Sequence, residues 1–218
     1  MNKILFGDCR ETLKTIDVKA QMCVTSPPYY GLRNYGDEEN QIGMEQTPEE
    51  YIEQLVDVFR SVRDVLHDDG TLWLNIGDTY YNYRSDGNYP KQTVSRTKQD
   101  LPDFSPVRGN KLHNLKSKDL IGIPWMLAFA LRADGWWLRQ DIIWNKPNPM
   151  PESVKDRCTK SHEYIFLLSK SKQYYYDNEA IKEPVKQDWG TRNRDAGKYH
   201  NPGTGLQPHS GLTKSYER

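Results

Sequence analysis

The residues best suited to chemistry form a short turn, Ser26-Pro27-Pro28-Tyr29, directly after the strand predicted over residues 21–25. Two consecutive prolines stiffen such a turn, so its backbone carbonyl oxygens and the ring of Tyr29 are held in one geometry. Fixed carbonyl oxygens suit a substrate amino group, and a planar ring beside them suits a base flipped out of a nucleic-acid helix. Taken alone, these residues equally fit a proline-rich turn or a docking motif.

Two other predicted strands also end in polar residues, at Gly7-Asp8 and at Gly77-Asp78. Ligands bind at the carboxyl ends of the strands in an open parallel sheet, so these three strand ends are candidate positions for a site, and the Ser26-Pro27-Pro28-Tyr29 turn is the most informative of them. Asp8 either contributes to that site or only caps the short helix predicted over residues 9–16.

The order of elements predicts how this site is positioned. Thr47-Pro48-Glu49-Glu50 combines an N-cap, a proline at the first helical position and a glutamate three residues after the cap, which is typical of a helix start. We expect that helix to end at Gly70, a second helix over residues 119–133, and strands over residues 3–6, 21–25, 71–76, 136–144, 161–169 and 173–176. The last two strands are predicted to form an antiparallel hairpin. The pattern predicts a three-layer α/β domain with a mostly parallel sheet.

The composition suits one soluble domain. The chain has 218 residues, 30 basic and 30 acidic side chains and a mean hydropathy of −0.89. It contains no apolar run of the ~20 residues that a membrane span needs, and its amino terminus lacks the pattern of a signal peptide. We therefore expect a cytoplasmic protein. Cys9, Cys23 and Cys158 are far apart in the sequence, which predicts reduced thiols and no metal site.

The charge is distributed unevenly along the chain. Residues 1–80 carry 7 basic and 15 acidic side chains, whereas residues 81–218 carry 23 and 15. Residues 84–118 contain eight basic residues against three acidic ones. This segment either follows a phosphate backbone or is a solvated loop with incidental charge.

A resemblance to a known family favours a catalytic turn at Ser26-Pro27-Pro28-Tyr29 over a proline-rich turn or a docking motif. VTSPPYYGLRNYG, preceded by ILFGDCRETL, resembles the catalytic segment of bacterial and phage DNA amino-methyltransferases, which methylate the exocyclic amino group of cytosine or adenine. Residues 41–78, 119–177 and 178–184 resemble the same family, so the similarity covers most of residues 3–184. The resemblance implies a Rossmann-like fold, S-adenosylmethionine as methyl donor, and double-stranded DNA with a flipped target base as substrate.

The same resemblance implies roles for individual residues. In the catalytic set, the Ser26 side chain and a carbonyl of Pro27 or Pro28 accept hydrogen bonds from the target amino group, and Tyr29 stacks on the flipped base. The residues implied to bind the cofactor are Asp8, Cys9, Thr25 and Ser26. The candidate DNA contacts are Tyr30, Arg33, Arg96, Arg108, Lys111, Asn145, Lys146 and Asn148. A polar turn at residues 145–148 needs no function, and His162 and Glu163, at a predicted strand start, are more typical of structural residues.

One feature of the family is missing from the sequence. Relatives carry a glycine-rich cofactor loop of the type DPFxGSGTT near the carboxyl end, and no segment of this chain reproduces it. We therefore expect an incomplete catalytic domain over residues 1–183, with a polar basic loop at 79–118, followed by a tail or the start of a target-recognition region over residues 184–218. A complementary carboxyl-terminal half or a second copy of the chain would then complete the enzyme.

Several functions remain open at this point. A serine before Pro-Pro-Tyr is associated in this family with cytosine N4, and an aspartate or asparagine with adenine N6. The alternatives to a cytosine enzyme are an adenine N6 methyltransferase, an inactive remnant that only binds DNA, and a methyltransferase for another amino-bearing substrate such as RNA.

Overall fold

The computed structural model describes residues 3–32, 41–81 and 114–183. The chain divides into two compact units, Met1–Tyr176 and Asp177–Arg218. The elements found among the described residues of the first unit are, in chain order, helix α1 (Cys9–Thr12), a 3-10 turn (Leu13–Thr15), β1 (Ala20–Thr25), α2 (Pro48–Val65), β2 (Leu66–Ile76), α3 (Ile123–Ala133), β3 (Trp137–Asn145) and β4 (His162–Ser169). In the second unit, the Asp177 carboxylate accepts hydrogen bonds from the backbone N–H groups of Glu179 and Ala180.

The four strands of the described residues form one mixed sheet in the order β1-β2-β4-β3. β1 and β2 are parallel, with Cys23 opposite Leu72 and Thr25 opposite Leu74. β4 lies between β2 and β3 and is antiparallel to both. The predicted α/β class is confirmed, but the predicted mostly parallel sheet is wrong: among the described strands only β1 and β2 pair in parallel, because β4 inserts between β2 and β3 and runs against both.

Two predicted strands are wrong. Residues 3–6 form no strand, and the Phe6 side chain is 89% exposed. Residues 173–176 do not pair with β4, so the predicted terminal hairpin is absent. For residues 173–176 the physical reason is competition for partners, because β4 already pairs with β2 on one side and β3 on the other. The chain after β4 instead hydrogen-bonds to the start of β2, from Lys170 N to Gly70 O at 3.1 Å and from Tyr175 N to Asp69 O at 3.0 Å.

Helix α2 begins as its sequence predicts. The Thr47 hydroxyl accepts from Glu50 N at 3.2 Å and the Glu50 carboxylate accepts from Thr47 N at 3.2 Å, so a complete capping box is formed. The helix ends at Val65 and not at Gly70, because Leu66 has an extended backbone and starts β2. Gly70 lies inside β2, where an added Cβ would stand 2.9 Å from the His67 carbonyl oxygen.

Helix α3 begins at Ile123, four residues later than predicted, and Asp78 fixes its start. Asp78 follows β2, and its carboxylate accepts from Gly122 N at 3.0 Å and Ile123 N at 3.1 Å. An acidic group at a helix amino terminus accepts hydrogen bonds from free N–H groups and interacts favourably with the positive end of the helix dipole. The strand end at Gly77-Asp78 is therefore used to position a helix.

The core lies between α2, α3 and one face of the sheet. Leu72, Leu74 and Ile76 alternate along β2 toward this core, where they join Phe166 and Leu168 of β4. Side chains of β1 on the other face, Met22 and Val24, are exposed. Among the described residues, no helix is long and apolar enough to cross a membrane.

Candidate active site

The Ser26-Pro27-Pro28-Tyr29 turn leaves the sheet at the carboxyl end of β1, as predicted. Ser26 is exposed, and its hydroxyl lies at a long 3.5 Å from the Tyr29 hydroxyl. Tyr29 is half-buried and starts a tight turn in which Leu32 N donates to Tyr29 O at 3.3 Å. The turn therefore presents the Ser26 hydroxyl to solvent while it holds the Tyr29 ring against the protein.

Helix α2 fixes the backbone of this turn through one buried tyrosine. The Tyr51 hydroxyl donates to the Pro28 carbonyl oxygen at 2.7 Å, and the Tyr51 side chain is fully buried. Burial raises the pKa of Tyr51, so the hydroxyl keeps the hydrogen that it donates. Gly43 packs against the same turn with a φ of +99°, and an added Cβ there would stand 3.1 Å from Tyr29 O. A side chain at residue 43 would thus be strained and would press on the turn.

The Tyr29 hydroxyl is held by side chains of two neighbouring strands. It lies 3.0 Å from Asn75 Oδ1 and 3.1 Å from Glu163 Oε2, and both oxygens are acceptors for its single hydrogen. The Asn75 amide is oriented by its own hydrogen bond, from Nδ2 to Tyr164 O at 3.2 Å. Burial and the Glu163 carboxylate raise the pKa of Tyr29, so the phenol stays protonated.

The Glu163 carboxylate is also paired with Lys146, which follows β3. Lys146 Nζ donates to Glu163 Oε1, and Lys146 N donates to Ser161 O at 2.7 Å. Burial alone would raise the pKa of Glu163, but the hydrogen bonds from Lys146, Tyr29 and Asn75 outweigh it and lower that pKa below its ordinary value. Glu163 is therefore a carboxylate, ionised and hydrogen-bonded to the tyrosine of the predicted catalytic turn.

Gly77 provides the surface on which the Tyr29 ring rests. A Cβ added to Gly77 would stand 2.5 Å from Cε2 and 2.9 Å from Cδ2 of Tyr29. Non-bonded carbon atoms do not approach so closely, so the ring occupies its position only because residue 77 has no side chain.

The candidate cofactor residues lie in two places. Thr25 and Ser26 adjoin the turn at the end of β1. Asp8 caps α1, and its carboxylate accepts from Arg10 N at 2.8 Å and from Arg10 Nη2 at 2.5 Å. Hydrogen bonds from Arg10 lower the pKa of Asp8. Cys9 is exposed. The capping role that the sequence left open for Asp8 is thus present, and its cofactor role stays a prediction.

The candidate DNA contacts differ in their positions. Tyr30 is 2% exposed and packs against Tyr51 with 5.4 Å between ring centroids, a position that does not suit a DNA contact. Asn145 and Asn148 are exposed at and beyond the end of β3, and Lys146 is engaged with Glu163. The remaining candidates lie outside the described residues: Arg33, Arg96, Arg108 and Lys111.

Sequence reasoning missed the residues that hold the turn. Tyr51 is one of many apolar positions of α2, and Glu163 stands at a predicted strand start, where a structural role is more typical. Asn75 gave the clearest signal, because it is a polar residue inside the buried segment TLWLNI of β2. A buried amide needs partners, and its register beside Ile165 places those partners on β4.

Known proteins share this fold and much of this sequence. A solved cytosine-N4-specific DNA methyltransferase, PvuII, matches 78% of this chain and 50% of its own chain with a TM-score of 0.51 at 16% identity, which supports the Rossmann-like methyltransferase fold. The chain is 56% identical over 184 residues to the type II methyltransferase M.SmaI of Serratia marcescens, covering 84% of this chain. It is 51% identical over 189 residues to M.Cfr9I of Citrobacter freundii, covering 86%.

The chain spans 61% and 60% of the lengths of those two relatives. A family model described as DNA methylase, N6_N4_Mtase, matches residues 20–211. That match begins with β1 and includes the Ser26-Pro27-Pro28-Tyr29 turn, Asn75, Gly77 and Glu163. On this match and on relatives more than half identical to it, the chain belongs to the N6/N4 DNA methylase family.

Proposed function

We propose that this chain carries the catalytic segment of a site-specific DNA methyltransferase that moves a methyl group from S-adenosylmethionine to the N4 amino group of cytosine. The observation that carries the proposal is the joint placement of an exposed Ser26 hydroxyl and an anchored Tyr29 ring at the carboxyl end of β1. Family membership and the type II methyltransferase names of its relatives support methyl transfer to DNA, and the choice of cytosine rests on residue 26.

The turn offers two acceptors for a target amino group. The Ser26 hydroxyl is exposed, and among the described residues the hydrogen bond found for it is the long one to Tyr29. The Pro28 carbonyl already accepts from Tyr51, so we assign the second acceptor to the Pro27 carbonyl. Hydrogen bonds from the amino group to these oxygens make its nitrogen lone pair more available for attack, and the gain comes from positioning and electrostatics.

The residues present offer groups that fit the cofactor in two places. Thr25 and Ser26 supply hydroxyl groups at a strand end, where a ligand of a parallel βα arrangement binds. The Asp8 carboxylate is a suitable acceptor for a ribose or an adenine amino group, and Arg10 holds it ionised. S-adenosylmethionine, when bound, supplies an electrophilic methyl group on a sulfonium. Cys9 has the least support for a cofactor role in this set, because its exposed thiol is not positioned by a described contact.

Cytosine is favoured over adenine by residue 26. Serine precedes Pro-Pro-Tyr in this chain, and the family associates that form with N4 methylation. Both bases present an exocyclic amino group, so the identity of the methylated nucleoside decides between them. Asn145, Lys146 and Asn148, together with Arg33, Arg96, Arg108 and Lys111, remain the proposed DNA contacts.

The test uses the full 218-residue chain with tritiated S-adenosylmethionine and unmethylated genomic DNA. Digestion of the product to nucleosides followed by mass spectrometry should yield N4-methyldeoxycytidine. N6-methyldeoxyadenosine would contradict the cytosine assignment, and transfer to single-stranded RNA in preference to duplex DNA would contradict the substrate. No transfer by a folded chain that shifts DNA in a gel, even with the carboxyl-terminal part of a relative added, would favour a protein that only binds DNA.

Variants of the turn tie the activity to the proposed residues. Tyr29→Ala should weaken base stacking by ~1–3 kcal/mol. Ser26→Ala should lower the single-turnover rate while leaving DNA affinity unchanged. Ser61→Ala, which removes a hydroxyl from the surface of α2, is the matched control and should keep the full rate. Equal rates for all three variants would reject the assigned site.

A further inference from the structure

One polar network joins all four strands of the sheet at the predicted catalytic turn. Tyr29 follows β1, Asn75 is on β2, Glu163 is on β4 and Lys146 follows β3. The Tyr29 hydroxyl lies within 3.1 Å of both Asn75 Oδ1 and Glu163 Oε2, and Lys146 donates to the other oxygen of Glu163. Residues separated by up to 134 positions in sequence thus act on one phenol hydroxyl.

The network is sheltered enough to hold a fixed geometry. The Glu163 side chain is 17% exposed and the Lys146 side chain 40%. Hydrogen bonds to an ionised group in such surroundings are stronger than those between neutral groups. The Asn75 amide is fixed by Tyr164 O, and Gly77 leaves space for the ring. Both the tip and the body of the Tyr29 side chain are therefore held.

Stacking on a base does not by itself require the Tyr29 hydroxyl. A phenylalanine ring offers the same face, so the hydroxyl must serve another purpose. Here the hydroxyl orients the ring, because it is hydrogen-bonded to the protein at Glu163. A ring that is already fixed loses less conformational entropy when a flipped base arrives.

We propose, resting on the proposed function, that Glu163 is a positioning residue that fixes the Tyr29 ring for base stacking. Asn75 shares the hydroxyl, and Lys146 keeps the Glu163 carboxylate in place and ionised. This assigns Lys146 a role inside the protein in addition to, or in place of, the DNA contact predicted for it.

The first test reads the contact without using activity. Carbon-13 NMR of ζ-labelled tyrosine, with the Tyr29 signal identified by its loss in Tyr29→Phe, follows the titration of the Tyr29 phenol. In Glu163→Gln the neighbouring charge is gone, so the Tyr29 pKa should fall relative to the wild type. The control is Glu152→Gln, which removes another ion-paired glutamate whose partner is Arg157. A Tyr29 titration identical in the wild type and Glu163→Gln would overturn the proposal.

The second test reads positioning through a double-mutant cycle in single-turnover methylation. Glu163→Gln and Tyr29→Phe should each lower the rate about tenfold, as small misplacements of a reacting group do, with DNA affinity within about twofold of the wild type. The double variant should be no slower than either single variant, because both remove the same contact. Additive losses would overturn the proposal, since Glu163 would then act independently of Tyr29.

Failure of the proposed function is separable from failure of this inference. A wild-type chain that transfers no methyl group, even with the carboxyl-terminal part of a relative added, contradicts the proposed function, and the Tyr29 titration then decides the inference alone. A shifted titration in Glu163→Gln with unchanged Glu152→Gln supports the contact in either case.

Discussion

Two regions of the molecule carry the residues predicted to do chemistry, and they are built differently. The turn at Ser26–Tyr29 is held by α2 through Tyr51, by β2 through Asn75 and by β4 through Glu163. The amino-terminal segment before α1 is not part of the sheet, and the hydrogen bonds described for the Asp8 carboxylate go to Arg10, two residues away.

The difference lies in the range of the contacts that hold each region in place. The turn is fixed by contacts that span 23 to 134 residues of sequence, so it requires the folded sheet. The Asp8 carboxylate is held by Arg10, a neighbour in sequence, and this segment reaches helix α2 through a long hydrogen bond, from Arg10 Nη1 to Gln54 Oε1 at 3.4 Å. Its local geometry therefore depends less on the rest of the fold than that of the turn does. Substitutions around the turn should therefore cost stability, and substitutions around Asp8 should not.

The largest effect is expected for Gly77→Ala. The added methyl group would stand 2.5 Å from Tyr29 Cε2, so the ring or the backbone must move. Overpacking of this kind costs about 1–3 kcal/mol of unfolding free energy. Urea denaturation followed by circular dichroism measures this loss, which should appear as a lower midpoint with an unchanged slope.

A double-mutant cycle shows whether the Tyr29 ring causes that loss. In a Tyr29→Ala background the methyl group of Gly77→Ala meets no ring, so the substitution should cost clearly less than it does beside Tyr29. An equal cost in both backgrounds would mean that the glycine is needed for the backbone and not for the ring.

The next effect is expected for Tyr51→Phe. This substitution removes the donor 2.7 Å from Pro28 O and leaves that carbonyl without its buried partner, at a cost of about 1–2 kcal/mol. Tyr175→Phe, at an exposed tyrosine, is the matched control and should unfold at the wild-type urea concentration. Equal stability of the two variants would show that α2 does not fix the turn.

The sequence predicts features that depend on neighbouring residues, and it does not predict those that depend on strand pairing. The capping box at Thr47 and the break at Pro27-Pro28 predicted the start of α2 and the end of β1, because each uses residues within one turn of chain. The pairing of β4 with both β2 and β3 was missed, because register depends on partners far apart in sequence. The roles of Gly77 and Glu163 follow from that register, so they could not be predicted before it.

A smaller effect is expected from pH. Hydrogen bonds from Lys146 and Tyr29 hold the pKa of Glu163 below its ordinary value of 4.5. A carboxyl group with a depressed pKa in the folded state stabilises the fold above its unfolded pKa, and that stabilisation is lost as the pH falls through the folded value. The stability difference between the wild type and Glu163→Gln should therefore be constant near neutral pH and shrink below about pH 4.5. A difference that grows in acid would contradict the assigned contacts.

The smallest effect is expected at the other region, for Asp8→Asn. Asparagine also caps helices, so the substitution keeps an acceptor for Arg10 N and removes only the charge that pairs with the Arg10 guanidinium. Exposed ion pairs contribute little, so the unfolding free energy should fall by about 0.5 kcal/mol or less. Binding of S-adenosylmethionine, measured by calorimetric titration of the same variant, should fall clearly if Asp8 belongs to the cofactor site. A fall in stability as large as that of Tyr51→Phe would show that the amino-terminal segment is anchored as firmly as the turn, and the contrast between the two regions would then be wrong.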